Sequence, residues 1–391
     1  MPDRLLPPFD KQRNARGLYL HIPFCLRKCP YCSFYSLAGR TDIHKRYAQA
    51  VSRQLLFFAQ KNREDQCSLT SIFFGGGTPT LLPPETLSRL LADCLEQFPC
   101  MKDIEISLEV NPASVDKASL LLLRRAGFNR LSIGVQSLNE SELRRLGRPH
   151  TAVDAVRTVR QARAAGFRNI NLDLMYGLPR QALHGWRTSL QQALELRPEH
   201  LSVYELTIEA GTPFARLEEQ GMLSLPDEET VLLMSEKTQL LLGQNGFRRY
   251  EISNYAKPER QCRHNINYWR NGEYIGLGAG AVAFVNGTRC TALADAEQFC
   301  ACLENGREVW AEKEHLDQEA AFRETVVTGL RMLEGVSFKM LQERFGIDAA
   351  EYYAGPLEVL VRQGMIKKTR EGIRLTDQGL LLADTVLTEL V

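Results

Sequence analysis

Three cysteines pose the first chemical question. Cys25, Cys29 and Cys32 stand at C-x3-C-x2-C spacing in the segment HIPFCLRKCPYCSFYS. Iron–sulfur clusters are held by cysteine thiolates, normally four for a cubane. No cysteine follows until Cys67, so these three would leave one iron of a [4Fe–4S] cluster unsaturated. An open coordination position is what makes a metal site reactive. The competing reading is a zinc knuckle completed by His21 or His44, but zinc sites favour paired C-x2-C elements. The cysteines at 67, 94, 100, 262, 290, 300 and 302 read as small buried hydrophobes. Cys300 and Cys302 could suggest a metal pair, but no second pair at ligand spacing supports it.

A glycine run follows in FFGGGTPT, residues 73–80. Without Cβ atoms, Gly75, Gly76 and Gly77 let backbone approach a ligand closely, and their N–H and C=O groups could grip the amino-acid end of a small molecule. Polar residues then recur at strand ends, where side chains alternate across the sheet. In ISLEV, Ser107 and Glu109 oppose Ile106, Leu108 and Val110. In LSIGVQ, Ser132 and Gln136 oppose Leu131, Ile133 and Val135. In NLDLM, Asn171 and Asp173 oppose Leu172 and Leu174. Three consecutive strands thus carry a polar group near the C-terminal end, where parallel β/α architectures bind ligands.

The elements that must position these groups are six predicted strands: Leu18–Ile22, Ser71–Phe74, Ile104–Val110, Arg130–Val135, Asn169–Leu174 and Leu201–Leu206. Amphipathic stretches separate them, including Ile43–Phe58, Pro84–Leu95, Val115–Ala126, Ala152–Ala165 and Leu183–Leu196. Such alternation predicts a parallel sheet. The polar strand ends favour a partial (β/α)6 TIM-type barrel over an open doubly wound sheet. The expected domains are an N-terminal tail at 1–17, the barrel at 18–215, a connecting region at 216–315 and a C-terminal domain at 316–391. In that last domain, helical stretches, a hairpin-like MIKKTREGIRLT and a final helix from Asp377 resemble a winged helix. Glu371 and Asp377 dilute its basic run, so a packing or lid role is favoured and no nucleic acid is expected.

The chain has 391 residues and a formal net charge of +1, which gives no global attraction to nucleic acid or acidic membrane. The N-terminal segment has no apolar run of signal-peptide length, and the longest apolar runs are too short to span a bilayer. A cytoplasmic location is expected.

These residues together carry a family resemblance. The chain resembles the oxygen-independent coproporphyrinogen-oxidase-like branch of the radical S-adenosylmethionine (SAM) superfamily, and most closely its heme chaperones. The resemblance covers nearly the whole chain through Y-x-H-I-P-F-C at Tyr19–Cys25, GGGTP at Gly75–Pro79, E-V-N-P at Glu109–Pro112, G-V-Q-S at Gly134–Ser137, L-G-R-x-H at Leu146–His150 and N-x-D-L-M-Y-G-L-P at Asn171–Pro179. It implies that SAM chelates the open iron and is cleaved to methionine and a 5′-deoxyadenosyl radical. By motif, it implies SAM contacts at Tyr19, Tyr31, Gly76, Gly77, Thr78, Glu109, Gln136, Arg148 and Asp173. Arg148 suits the methionine carboxylate, while Asp173 and Gln136 suit ribose hydroxyls. Glu109 would meet either the SAM amino group or Arg148.

Within the family, porphyrinogen dehydrogenases carry a fourth cysteine two residues after the third, where this chain has Phe34. They also have a longer segment before the first strand. Both differences point to the heme chaperone branch, whose H-N-x-x-Y-W motif stands here as His264, Asn265, Tyr268 and Trp269. An imidazole beside aromatic surface suits an axial heme ligand, although a lone histidine in such a segment is more often structural. The chain departs from the family at Val282, where a histidine usually follows the G-x-G-x-G-A run. The resemblance implies a protein that binds heme, a cluster and SAM and delivers heme to receiving proteins, with an electron donor protein as partner. Peripheral contact with a membrane surface is compatible with that role. The alternative is an enzyme acting on a tetrapyrrole, either a coproporphyrinogen III dehydrogenase or a heme-degrading methyltransferase.

Overall fold

The computed structural model describes residues 15–61 and 67–391. Six strands follow the predicted order: β1 (Ala15–Ile22), β2 (Ser68–Gly76), β3 (Cys100–Val110), β4 (Arg130–Gln136), β5 (Ile170–Tyr176) and β6 (His200–Glu205). Each pairs in parallel with the next. A doubly wound sheet would instead reverse its strand order about the first strand, so the consecutive order excludes that alternative. Residues 1–14 of the expected tail lie outside the described residues, and Ala15–Gly17 already belong to β1.

The stretch expected to connect two domains supplies both flanks of the same sheet. Arg248–Arg249 (β7) and Asn254–Ala256 (β8) extend it beyond β6, with β8 antiparallel to β6. On the other flank, Tyr274–Leu277 (β9) runs parallel to β1, and Val282–Val285 (β10), Thr288–Ala292 (β11) and Trp310–His315 (β12) follow antiparallel. The result, among the described residues, is a twelve-stranded mixed sheet of order β12-β11-β10-β9-β1-β2-β3-β4-β5-β6-β8-β7. Its two outer strands do not pair, so the barrel stays open.

Register explains the two faces. Leu18, Ile72, Leu108, Leu131, Leu172 and Leu201 are fully buried on one face. There they pack under helices α1 (His44–Lys61), α2 (Pro84–Gln97), α3 (Lys117–Ala126), α5 (Ala152–Ala164) and α6 (Leu183–Glu195). Burial of each such side chain contributes about 1.5–3 kcal/mol. The opposite face is polar and layered: Ser107 aligns with Arg130, Glu109 with Ser132, Ser132 with Asn171, and Asp173 with Ser202. This polar face becomes the lumen. The short helix α4 (Glu140–Arg145) links β4 to Arg148. The next helix, α5, starts at a capping box between Thr151 and Asp154, which fixes the chain just after the L-G-R-x-H segment.

After α7 (Pro213–Glu219) and α8 (Glu228–Gln244), helix α9 (Arg263–Trp269) packs against β1 and β2, and α10 (Ala296–Glu304) follows between β11 and β12 in the chain. From Gln318 the chain forms a second core of its own around Phe322, Leu341, Leu357 and Ile373. It comprises α11 (Gln318–Gly329), α12 (Phe338–Phe345), α13 (Ala349–Tyr352), α14 (Ala354–Arg362) and a three-stranded antiparallel sheet of Val336–Ser337, Gly372–Leu375 and Ile366–Lys368. No helix among the described residues is long and apolar enough to cross a membrane.

Candidate functional site

The cysteine loop leaves the C-terminal end of β1. Its base is closed by Phe24–Cys25 pairing with Leu37–Ala38, and the Cys32 N–H donates to the Cys29 carbonyl at 3.1 Å. Cys29 is buried, while Cys25 and Cys32 are half-buried. All three face one cavity of about 660 Å³. Thr78 Oγ1 lies 3.9 Å from Cys25 Sγ, and Arg148 Nη1 lies 3.5 Å from Cys29 Sγ. Burial pushes the Cys25 and Cys32 thiols up, while Thr78 and Ser36 pull Cys25 back down.

The glycine run fixes that loop by close backbone approach. A Cβ on Gly77 would sit 2.6 Å from the Phe24 carbonyl oxygen, and one on Gly76 would sit 2.7 Å from the His21 ring. Gly77 N–H donates to Ile22 O at 2.9 Å and Thr78 N–H to Phe24 O at 2.6 Å. Gly76 N–H donates to Glu109 Oε2 at 3.0 Å. Of the glycine backbone groups expected from the sequence to grip a ligand, the Gly76 and Gly77 N–H groups, together with that of Thr78, here lock β2 against the cysteine loop and Glu109. Their contribution is positional.

Asn111 links the loop to Arg148. Its Nδ2 donates to Thr78 Oγ1, and its Oδ1 accepts from Arg148 Nη2. Arg148 also donates to the Gly134 carbonyl at 2.9 Å, while its Nε is buried without a hydrogen-bond partner among the described residues. Opposite stand Glu109, pushed up to about 8 by burial and by Asp173, and Asp173 itself, raised mainly by burial. Asp173 accepts from Asn171 Nδ2 at 2.7 Å and Ser132 Oγ at 3.3 Å. Gln136 closes the rim with a left-handed φ of 65° at a register break in β4, and its Oε1 accepts from Tyr204 at 2.7 Å. Backbone strain of this kind is held only where surrounding structure enforces it.

Eight of the nine residues assigned to SAM by resemblance line this cavity: Tyr31, Gly76, Gly77, Thr78, Glu109, Gln136, Arg148 and Asp173. Tyr19 is not among its lining residues. Its ring occupies the space beside Gly75, and its hydroxyl meets His21 Nδ1 at 3.0 Å. Sequence reasoning passed over Asn111, Tyr204 and Arg130, which also line the cavity. Asn111 stood inside E-V-N-P, and Arg130 and Tyr204 fall on the lumen side by the same alternation that singled out Gln136 and Asp173.

His264 occupies a different place from the one expected of an axial heme ligand. It is 1% exposed, with Nδ1 2.8 Å from Ser71 Oγ and Nε2 3.0 Å from Tyr268 Oη. Phe73 and Tyr19 stack on its ring. Burial first, then Arg130, lowers its pKa to about 3. In either neutral tautomer the one lone pair faces a hydroxyl, so this imidazole offers iron no free nitrogen. It is a floor residue of the lumen.

The donor set fits a cluster and a zwitterionic ligand. Three thiols share a cavity wall with a guanidinium whose Nε lacks a partner, and a raised carboxyl pair faces them. Among the described residues, no three His, Cys, Asp or Glu side chains converge on one point to hold a single ion; thiolates of a cubane bind three different irons.

Residues 19–218 match the family described as the Radical SAM superfamily, and residues 316–382 match the HemN C-terminal domain. Relatives named "Heme chaperone HemW" include that of Bacillus subtilis, 34% identical over 372 residues that cover 95% of this chain and 98% of the relative. That of Haemophilus influenzae is 35% identical over 390 residues, covering 98% and 97%. That of Escherichia coli is 44% identical over 280 residues, covering 71% and 70%. Among solved structures, coproporphyrinogen III oxidase (HemN) from Escherichia coli superposes with a TM-score of 0.83 at 24% identity, covering 97% of this chain and 90% of that one. At that identity the likeness speaks for the fold.

Proposed function

The protein belongs to the radical SAM superfamily, and from that membership we propose that it is a heme chaperone holding a [4Fe–4S] cluster on Cys25, Cys29 and Cys32 with SAM beside it. The observation that carries this reading is the meeting of three cysteines, Arg148 and the Glu109–Asp173 pair in one cavity. Relatives named "Heme chaperone HemW" match the chain over nearly its full length. When bound, the cluster supplies an open iron that chelates SAM and an electron for its sulfonium.

The chain's own residues would then divide the work. Arg148, steered by Asn111, would pair with the methionine carboxylate, and Glu109 would receive the ammonium. Asp173 and Gln136 would hold the ribose, and Thr78 would donate toward the Cys25 sulfur. Heme and heme-receiving proteins follow as cargo and partners, with an electron donor protein and a cytoplasmic site of action. Support for heme comes from the relatives and from a cavity within the usual 300–1,000 Å³ of small-molecule sites, not from His264.

The test is anaerobic incubation of reconstituted protein with heme and, separately, with coproporphyrinogen III, SAM and dithionite. The expected result is a shifted Soret band with heme and no protoporphyrinogen. Accumulation of protoporphyrinogen over many turnovers overturns the chaperone reading in favour of an enzyme.

A further inference from the structure

Arg130 starts β4 and lies in the lumen at the level of Ser107, about 20 Å along the strand from Gln136 by the usual rise per residue. It is 1% exposed, yet its Nε has no hydrogen-bond partner among the described residues. No ion pair joins it there either. Glu105 and Asp173 act on it through space, but both are engaged elsewhere. Glu105 accepts from the Cys262 thiol and from the N–H groups of Arg263 and His264, and Asp173 accepts from Asn171 and Ser132. A buried guanidinium without a partner is costly enough to demand one.

Two more residues of the cavity lining carry a buried donor without a partner, Trp269 at Nε1 and Arg331 at Nε. The Arg331 guanidinium lies 4.7 Å from the centre of the Trp269 ring. Among the described residues its one ion pair reaches Asp384 at 3.9 Å, and that carboxylate is 98% exposed. The buried acceptors without partners, Ser107 Oγ opposite Arg130 in register, Asn169 Oδ1, Glu251 Oε1 and Asn254 Oδ1, belong to residues outside the cavity lining. Although Glu251 acts on Arg331 through space, none of them is hydrogen-bonded to either arginine. Arginine and indole nitrogens only donate, so the group that completes them only accepts, and arginine favours planar carboxylates.

We infer that Arg130, Arg331 and Trp269 form a carboxylate-recognition site in the lumen, separate from Arg148 at the cysteine loop, that takes a propionate of the bound tetrapyrrole. This rests on the heme reading above. Carboxylates could also reach the site from SAM, and the experiment separates the two sources.

The full-length reconstituted protein is titrated with hemin, with hemin dimethyl ester and with SAM, following the Soret band and tryptophan fluorescence. The ester keeps the macrocycle and iron and loses both carboxylates. Wild type should bind hemin at least about tenfold more tightly than the ester, as charge-assisted pairs require. Arg130→Gln and Arg331→Gln should each reduce that preference while leaving ester and SAM affinities unchanged. Equal binding of hemin and ester by wild type overturns the site and leaves heme binding standing. Binding of neither overturns both readings. Loss of SAM affinity in Arg130→Gln, with the hemin preference intact, assigns the arginine to SAM and also overturns the site. Arg130→Met guards against a purely structural role. Removing an unpaired buried cation should raise the melting temperature of ligand-free protein, whereas a fall with the hemin preference retained counts against the proposal.

Discussion

Glu109 illustrates how single residues trade fold stability for a binding surface. Its carboxyl rises from 4.5 to about 8 because burial and Asp173 both penalise its charge. A carboxyl raised on folding contributes stability that is fully present below its unfolded pKa and is lost as pH rises through its folded one. Ligand-free protein should therefore weaken between about pH 4.5 and pH 8 through this group. Glu109→Gln removes the dependence, so its melting temperature should exceed wild type by more at pH 9 than at pH 5; a constant gap would refute the assignment. For the cysteines, Ala at 25, 29 or 32 should abolish the visible absorption and iron of reconstituted protein. Replacing Cys300 and Cys302 should leave both intact. His264→Ala should act on stability, because it strips Ser71 and Tyr268 of their partner at a fully buried position. A loss of about 2–4 kcal/mol in denaturant unfolding is expected, with hemin affinity of the folded fraction unchanged. A selective loss of hemin binding at wild-type stability would restore the ligand role.

At the scale of elements, the site depends on two strand ends being pressed together. Gly77 allows β2 to meet the cysteine loop, because any Cβ there would strike the Phe24 carbonyl. Gly77→Ala should therefore reduce iron content after reconstitution by displacing Cys25. Gly185→Ala is the control: in α6 its new Cβ would approach no closer than 3.5 Å to Glu142, and alanine favours the helix by up to about 1 kcal/mol. Equal iron content in both variants would show that the close approach does not position the cluster loop. The strand alternation was legible in the sequence down to individual residues such as Ser132 and Asp173. The register break that turns Gln136 onto the rim with a left-handed φ was not, since it depends on how β4 and β5 are staggered.

Across the whole molecule, the C-terminal domain is joined to the barrel through α9 and its flanking turn. Arg344 donates to the carbonyls of Arg270 and Asn271 at 3.2 and 2.8 Å. Arg270 pairs with Glu334 at 2.8 Å, and Asn271 Nδ2 donates to Thr325 at 3.1 Å. Arg289 reaches Glu324 from the far flank of the sheet. Through this junction Arg331 enters the cavity wall, which makes the domain part of the site as well as a packing module. Arg344→Ala leaves two carbonyls at the end of α9 without their donor, at a cost of about 2 kcal/mol. Calorimetry should register the loss, and proteolysis between the barrel and residue 318 should accelerate. An unchanged cleavage rate would show that the junction is held by other contacts.

The sequence by itself determined the chemistry and the order of the barrel. Cysteine spacing, glycine clustering and two-residue alternation are local properties, so they read directly from neighbours along the chain. The family motifs added Arg148 and Tyr31, which lie in the cavity, and Tyr19, which does not. Only the tertiary structure decided which donors remain unused. His264 reads from its motif as an available ligand, but Ser71 and Tyr268 occupy its two nitrogens. Arg130 carries no signal of burial in the sequence because a strand's first residue is ordinarily exposed, whereas here it is buried between β3 and β5. Hydrogen-bond satisfaction is a property of groups brought together from distant parts of the chain, and no local pattern encodes it.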